Sequence, residues 1–111
     1  MKTTMNKVEL NGYVGTEPEM QTTKTGSKVM RITLATHESF KRKTGEWVSN
    51  TTWHNVVLWN KVAEMANEFL KKGSRVTLRG KLINREYTDK FGIKRTISEV
   101  VAGEFALNVA A

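Results

Sequence analysis

The 111-residue chain contains no cysteine and a single proline, Pro18. Without cysteine there is no disulfide, no thiolate nucleophile and no cysteine-based zinc site, a usage consistent with a reducing compartment. No stretch approaches the ~18 apolar residues that a membrane helix needs, and the opening MKTTMNKVEL lacks the apolar segment of a secretory signal. The expectation is a cytoplasmic protein without a membrane partner. Catalytic equipment is scarce as well. His37 and His54 lie in different segments, and there is no HExxH pair, no GxSxG elbow and no glycine-rich phosphate loop at a strand-to-helix junction. Glu17 and Glu19 flank Pro18 in a pattern too generic for a general acid and base. No enzyme activity, metal or cofactor is expected.

What is present is an ordinary globular composition, 39% hydrophobic and 26% charged, in a length that suits one domain with one core. The charge is unevenly placed. Between Lys71 and Arg95 nine basic residues stand against two acidic ones, and this segment alone accounts for the net +7 of the chain. An excess confined to one segment points to a polyanion-binding surface more than to a solubilising coat.

Apolar residues alternate through NKVELNGYV (Asn6 to Val14), KVMRITLAT (Lys28 to Thr36) and NTTWHNVVLW (Asn50 to Trp59), which reads as three strands. Glu19 to Thr23 can resume an extended path before a turn at KTGS. His37 to Ser49 breaks the alternation. It is basic, carries Phe40 and Trp47, turns at Thr44-Gly45, and reads as a protruding hairpin or loop, a usual place for binding residues. NKVAEMANEFLKKGS follows with helical spacing of Val62, Met65, Ala66, Phe69 and Leu70, a cap at Asn60 and an exit at Gly73. This spacing makes Met65 and Phe69 core residues. Arg75 to Thr88 is a long strand with a bulge or bend at Gly80, and Thr96 to Val101 returns as the last.

Three strands, a helix and two strands make an all-β chain whose element order fits a five-stranded Greek-key OB-fold barrel, with its helix between strands 3 and 4. A separate Greek-key sandwich is disfavoured because five strands barely supply two sheets.

The stretch NTTWHNVVLW poses a problem of its own. As a strand it places Trp53, Asn55, Val57 and Trp59 on one face, and Thr52, His54, Val56 and Leu58 on the other. Both faces are largely apolar, and a small domain buries one. Aromatic residues also stand beside cations at Phe40 with Lys41, Arg42 and Lys43, at Trp53 and Trp59 with Lys61, at Tyr87 with Arg85, and at Phe91 with Lys94 and Arg95. Unpaired nucleic acid asks for this combination, because cations track phosphates while flat rings stack on exposed bases. The other readings are an OB module whose rings meet a partner protein, and a small basic nuclease that would need a carboxylate cluster the sequence does not display.

The segments NKVELNGYVGTEPE, ITLATHESF, TTWHNVVLWNKVAEMANEFLKKGSRVTLRGKL and REYTDKFGIKR closely resemble the bacterial-type single-stranded DNA-binding protein family, in the same order and spacing from about residue 6 to residue 101. The resemblance implies an OB-fold homotetramer that binds and protects single-stranded DNA in replication, recombination and repair. Its base-stacking positions fall on Phe40, Trp53, Trp59 and Tyr87, and its basic contacts on Lys43, Lys61, Lys72, Arg85 and Arg95. Lys41 and Arg42 join them on the hairpin. His54 matches a subunit-contact histidine.

There are departures. Phe40 and Tyr87 stand where tryptophan is common, and Asn55, Ile83 and Glu86 where cations are frequent, so the cationic track is thinner. Trp47 occupies a position where the family does not lead one to expect an aromatic; it either adds a stacking group or braces the loop against Phe40. Family members usually continue to an acidic tip that recruits replication and repair proteins, whereas this sequence reads GEFALNVAA at its end, so those partners are doubtful. A single domain over residues 1–111, with its core in about 6–101, is the expectation.

Overall fold

A computed structural model describes residues 4–107. The outermost residues of the expected domain, including the last four of GEFALNVAA, lie outside that range. The chain forms six strands and one helix: β1 Val8–Val14, β2 Glu19–Thr22, β3 Lys28–Lys41, β4 Trp47–Trp59, α1 Asn60–Phe69, β5 Arg75–Thr88 and β6 Lys94–Leu107. β1 pairs antiparallel with β5 on one side and with β3 on the other, so the order β1-β5-β6-β4-β3 returns to its start and closes a five-stranded barrel. β4 and β6 pair in parallel, and β2 adds a short edge to β3. This is the expected OB-fold, with the helix between the third and fourth barrel strands.

Two segments extend further than the alternation implied. β3 and β4 stay in unbroken register from Val29↔Trp59 to Lys41↔Trp47, so residues 37–49 form a two-stranded arm of the sheet. β6 runs on past Val101 to Leu107.

Three hairpins turn by the same device. In Thr23–Ser27, Arg42–Glu46 and Asp89–Ile93 the first residue's N–H donates to the fifth residue's carbonyl, and the fourth residue's N–H donates to the first residue's carbonyl. The fourth residue is glycine each time, at φ 89°, 90° and 78° for Gly26, Gly45 and Gly92. The left-handed conformation required there explains the shared x-Gly ending. At the third turn Asp89 adds its side chain, accepting from the N–H groups of Phe91 and Ile93 at 2.9 and 3.0 Å.

Inward residues of every barrel strand form the core: Val14, Met30, Ile32, Leu34, Val56, Leu58, Val76, Leu78, Val100 and Ala102. Truncating Leu34 or Leu58, both fully buried, to alanine should cost about 2–5 kcal/mol. Curvature is set at Gly80, where β5 and β6 slip register by one residue. A Cβ at Gly80 would stand 1.9 Å from the Val101 carbonyl oxygen, so the bulge brings two backbones closer than any side chain allows.

The helix corrects two expectations. It docks through Ala63 and Ala66, with Leu70 just beyond its end, while Met65 and Phe69 are 53% and 51% exposed. At about 100° per residue the small side chains centre the contact near Ala66, and Met65 and Phe69 fall on its rim. Alanines allow the close approach of helix to barrel that the larger pair would prevent. Asn60 does not cap the helix by a side-chain hydrogen bond; it is the first helical residue, at φ 47°, and its Oδ1 accepts from the Lys28 N–H at 3.1 Å.

Candidate nucleic-acid interface

The two faces of NTTWHNVVLW separate cleanly. Val56 and Leu58 lie in the barrel interior, at 1% and 0% exposure, whereas Trp53 and Trp59 point outward at 61% and 38%. Val57 also points outward yet is buried, flanked across the sheet by Arg31 on β3 and Val101 on β6. His54, on the inward side, is half-buried, and its Nε2 lies 2.9 Å from the Thr36 hydroxyl.

Register carries this outward face across four strands. Val57 sits beside Val101, and Val101 shares its face with Glu99, Ile97 and Arg95 on the same strand. Pairing of Ile97 with Arg85 and of Arg95 with Tyr87 brings the β5 residues onto that face. Trp53, Trp59, Tyr87, Arg85 and Arg95, singled out separately in sequence, therefore share one surface. Lys41 and Trp47, paired with each other at the end of the β3–β4 arm, lie on it too.

Phe40 does not. It pairs with Val48 one step along, on the reverse side of the arm from Trp47 and Trp53, with 46% of its surface exposed. That arrangement sets aside the idea that Trp47, itself 67% exposed, braces the arm against Phe40. Arg42 and Lys43 are exposed in the turn at the arm's tip. Lys61 is exposed in the first turn of the helix, two residues beyond Trp59. Lys72 is exposed in the loop before β5, where the neighbouring Gly73 N–H donates to the Val14 carbonyl at 2.8 Å. Gly15, the next residue after Val14, lies under the Trp53 ring, so this loop sits at the Trp53 end of the face.

Several cations of the basic segment are already engaged. Arg79 bonds Glu9 at 2.6 Å and approaches Glu104 at 3.5 Å; this raises the Arg79 pKa and lowers that of Glu9 through hydrogen bonding and charge. Arg95 Nε donates to Asp89 at 2.7 Å, and this bond, with the Ile93 and Phe91 N–H groups, holds the Asp89 carboxyl below its ordinary range. Arg85 donates to Glu99 at 3.1 Å. Among the described residues Lys71, Lys72, Lys81, Lys90 and Lys94 have no ion-pair partner.

The sequence did not single out Tyr13, Arg31 or Glu99. Tyr13 pairs with Ala35, which pairs with Trp53, and it carries the Arg75 guanidinium 5.9 Å from its ring centroid. Arg31 and Glu99 meet only through the barrel, although a charged residue inside each apolar strand run was a visible signal.

The chain matches the model of the Single-strand binding protein family over residues 5–108. It belongs to that family. Single-stranded DNA-binding proteins of Neisseria meningitidis serogroups A and B are 39% identical to it over 103 residues, which is 93% of this chain and 59% of each relative. The chain thus spans about six-tenths of the length of these relatives. Among solved structures, a Plasmodium falciparum SSB in complex with ssDNA superposes with a TM-score of 0.89 at 29% identity, over 98% of this chain and 99% of that one. A deletion mutant of the single-stranded DNA binding protein from Thermus aquaticus gives 0.82 at 28% identity, over 95% of this chain and 51% of that one.

Proposed function

We propose that this member of the single-strand binding family binds single-stranded DNA without sequence preference, and does so without catalysis. The observation that carries the reading is the shared outward face of Trp53, Trp59 and Tyr87 with Arg85 and Arg95. Rings exposed on a barrel surface offer π-faces that any unpaired base can stack on, at about 1–3 kcal/mol per base. Duplex bases are already stacked and gain nothing there. Trp53 and Trp59 are six residues apart, roughly 20 Å at ~3.3 Å per residue, so they mark separate points on a bound strand.

Phosphates would be met by Lys41, Arg42, Lys43, Lys61, Lys72, Arg85 and Arg95, with Trp47 an additional stacking group at the arm's end. The family relationship supports protection of single strands in replication, recombination and repair as the role, a cytoplasmic, nucleoid-associated location, and assembly as a homotetramer with His54 near a subunit contact.

The test is a titration of tryptophan fluorescence with poly(dT), with duplex DNA as control. Quenching by the single strand, none by duplex, and DNA recovered at its original length are expected, with log affinity falling by about 0.7 per neutralised phosphate for each unit of log salt. Quenching by duplex to the same degree, or shortened DNA, overturns the reading.

A further inference from the structure

The carboxylate of Glu99 is buried, at 3% exposure, on the face that carries the tryptophans. It accepts from two arginines that reach it from different strands: Arg31 Nη1 of β3 donates to Oε2, and Arg85 Nε of β5 donates to Oε1 at 3.1 Å. β4 and β6 lie between those strands in the sheet, so the Arg31 side chain spans β4 to make this contact. A buried carboxylate is costly unless its oxygens are satisfied, and here each oxygen has its own guanidinium.

The arginines are not consumed by the contact. Their side chains remain 52% and 46% exposed. Each guanidinium has five N–H donors in a rigid fork and gives one of its nitrogens to Glu99. Both arginines line a surface cleft of about 380 Å³, together with Glu99, Thr33 and Asn55. Glu17 and Glu19 line it as well. The place is informative: Arg31 pairs with Val57, which lies between Trp53 and Trp59 on the same face of β4.

We propose that Arg31 is a phosphate-binding residue of this surface, and that Glu99 is a positioning residue that aims Arg31 and Arg85 together at the backbone of a strand running between the two tryptophans. Arg31, Arg85 and Glu99 alone sum to +1, and Glu17 and Glu19 bring the cleft lining to −1, so it is the bidentate donor geometry of a preset fork, suited to phosphate oxygens, that carries the proposal. Glu99 offsets one positive charge but removes the conformational freedom of two long side chains before the ligand arrives. The proposal rests on the single-strand reading above.

The experiment is the poly(dT) titration repeated at several salt concentrations with Arg31→Ala and Glu99→Gln, each checked for its unfolding temperature. Arg31→Ala should reduce the magnitude of the salt slope by about 0.7 and weaken binding roughly fivefold at 0.1 M salt, one phosphate's worth of released counterions. Saturating tryptophan quenching should stay at the unmodified level.

Glu99→Gln separates aiming from simple charge. Removing a negative charge beside a polyanion strengthens binding if charge alone matters, whereas replacing one of the two acceptor oxygens by an NH2 group releases one arginine and weakens binding severalfold if Glu99 aims the pair. Stronger binding by Glu99→Gln removes its positioning role. An unchanged slope in Arg31→Ala, with only its unfolding temperature lowered, makes Arg31 a structural clip and overturns the proposal. If Glu99→Gln does not fold, the Arg31→Ala slope decides alone. Failure of the unmodified protein to bind poly(dT) removes the underlying reading and this proposal with it, a result distinct from a silent Arg31→Ala.

Discussion

The ring of Trp53 lies across Gly15 so closely that a Cβ at position 15 would stand 2.2 Å from its Cζ3 and 3.0 Å from its Cη2. The glycine is held from beneath, its N–H donating to the Thr33 carbonyl at 2.9 Å. A hydrogen at Cα is therefore what lets the edge of the indole come this close to the residue that follows β1 while most of the ring is open. Gly15→Ala should push the ring outward and leave the barrel folded. We expect a changed near-ultraviolet circular dichroism signal in the free protein, and a loss of single-strand affinity smaller than the ~1–3 kcal/mol of one whole stacked base. An unchanged signal and affinity would mean that Gly15 does not set the ring.

Trp53 and Trp59 differ in how much of each ring is free. Trp53→Ala and Trp59→Ala should each weaken poly(dT) binding by about 1–3 kcal/mol. Trp59, the more covered at 38% exposure against 61%, should lose more stability on truncation. Thermal unfolding of both variants checks the order. Global unfolding of either would show that its ring is a core element.

Phe40 and Trp47 lie on opposite sides of the β3–β4 arm, so DNA length should tell them apart. A short oligonucleotide held on the Trp53 face can reach Trp47 without crossing the arm, whereas Phe40 meets only a strand long enough to pass around it. Trp47→Ala should weaken both short and long oligo(dT), and Phe40→Ala only the long. Equal losses at every length would contradict this path.

Asp89 ties the β5–β6 turn through Arg95 and two backbone N–H groups, and its carboxyl is held below the ordinary range by the arginine first. A depressed folded pKa means that the stabilisation is complete above the unfolded value of about 3.9 and fades as pH falls through the folded one. Asp89→Asn retains an oxygen for the N–H groups but loses the charge. Its unfolding temperature should lie below that of the unmodified protein at pH 7, and the two should converge near pH 2–3. A constant gap across that range would assign the effect to turn geometry alone.

Much of the fold was legible in local patterns. Arg75 to Thr88 was bounded as β5, Gly80 marked the bulge, and KTGS and Thr44-Gly45 announced turns, because alternation and left-handed glycines act over a few residues. Helix spacing also declared a helix, but it could not choose among apolar neighbours. Met65 and Phe69 qualified by hydrophobicity, while the barrel accepted Ala63 and Ala66 for their small size. The arm was read as a hairpin or loop, with its strands left unmarked, because polar residues on both faces hide the alternation of a strand that buries neither.

The candidate face divides the same way. Residue order alone determined that Trp53 and Trp59 share a side of their strand and that cations crowd Lys71 to Arg95, since parity within a strand and charge density are local properties. Only the pairing of strands decided that Tyr87 joins them, that Phe40 turns away, that Trp53 rests on Gly15 and that Glu99 gathers Arg31 from 68 residues away. Those meetings depend on which strands become neighbours and in what register. Register is set jointly by the interior packing of every strand, and no single segment contains it.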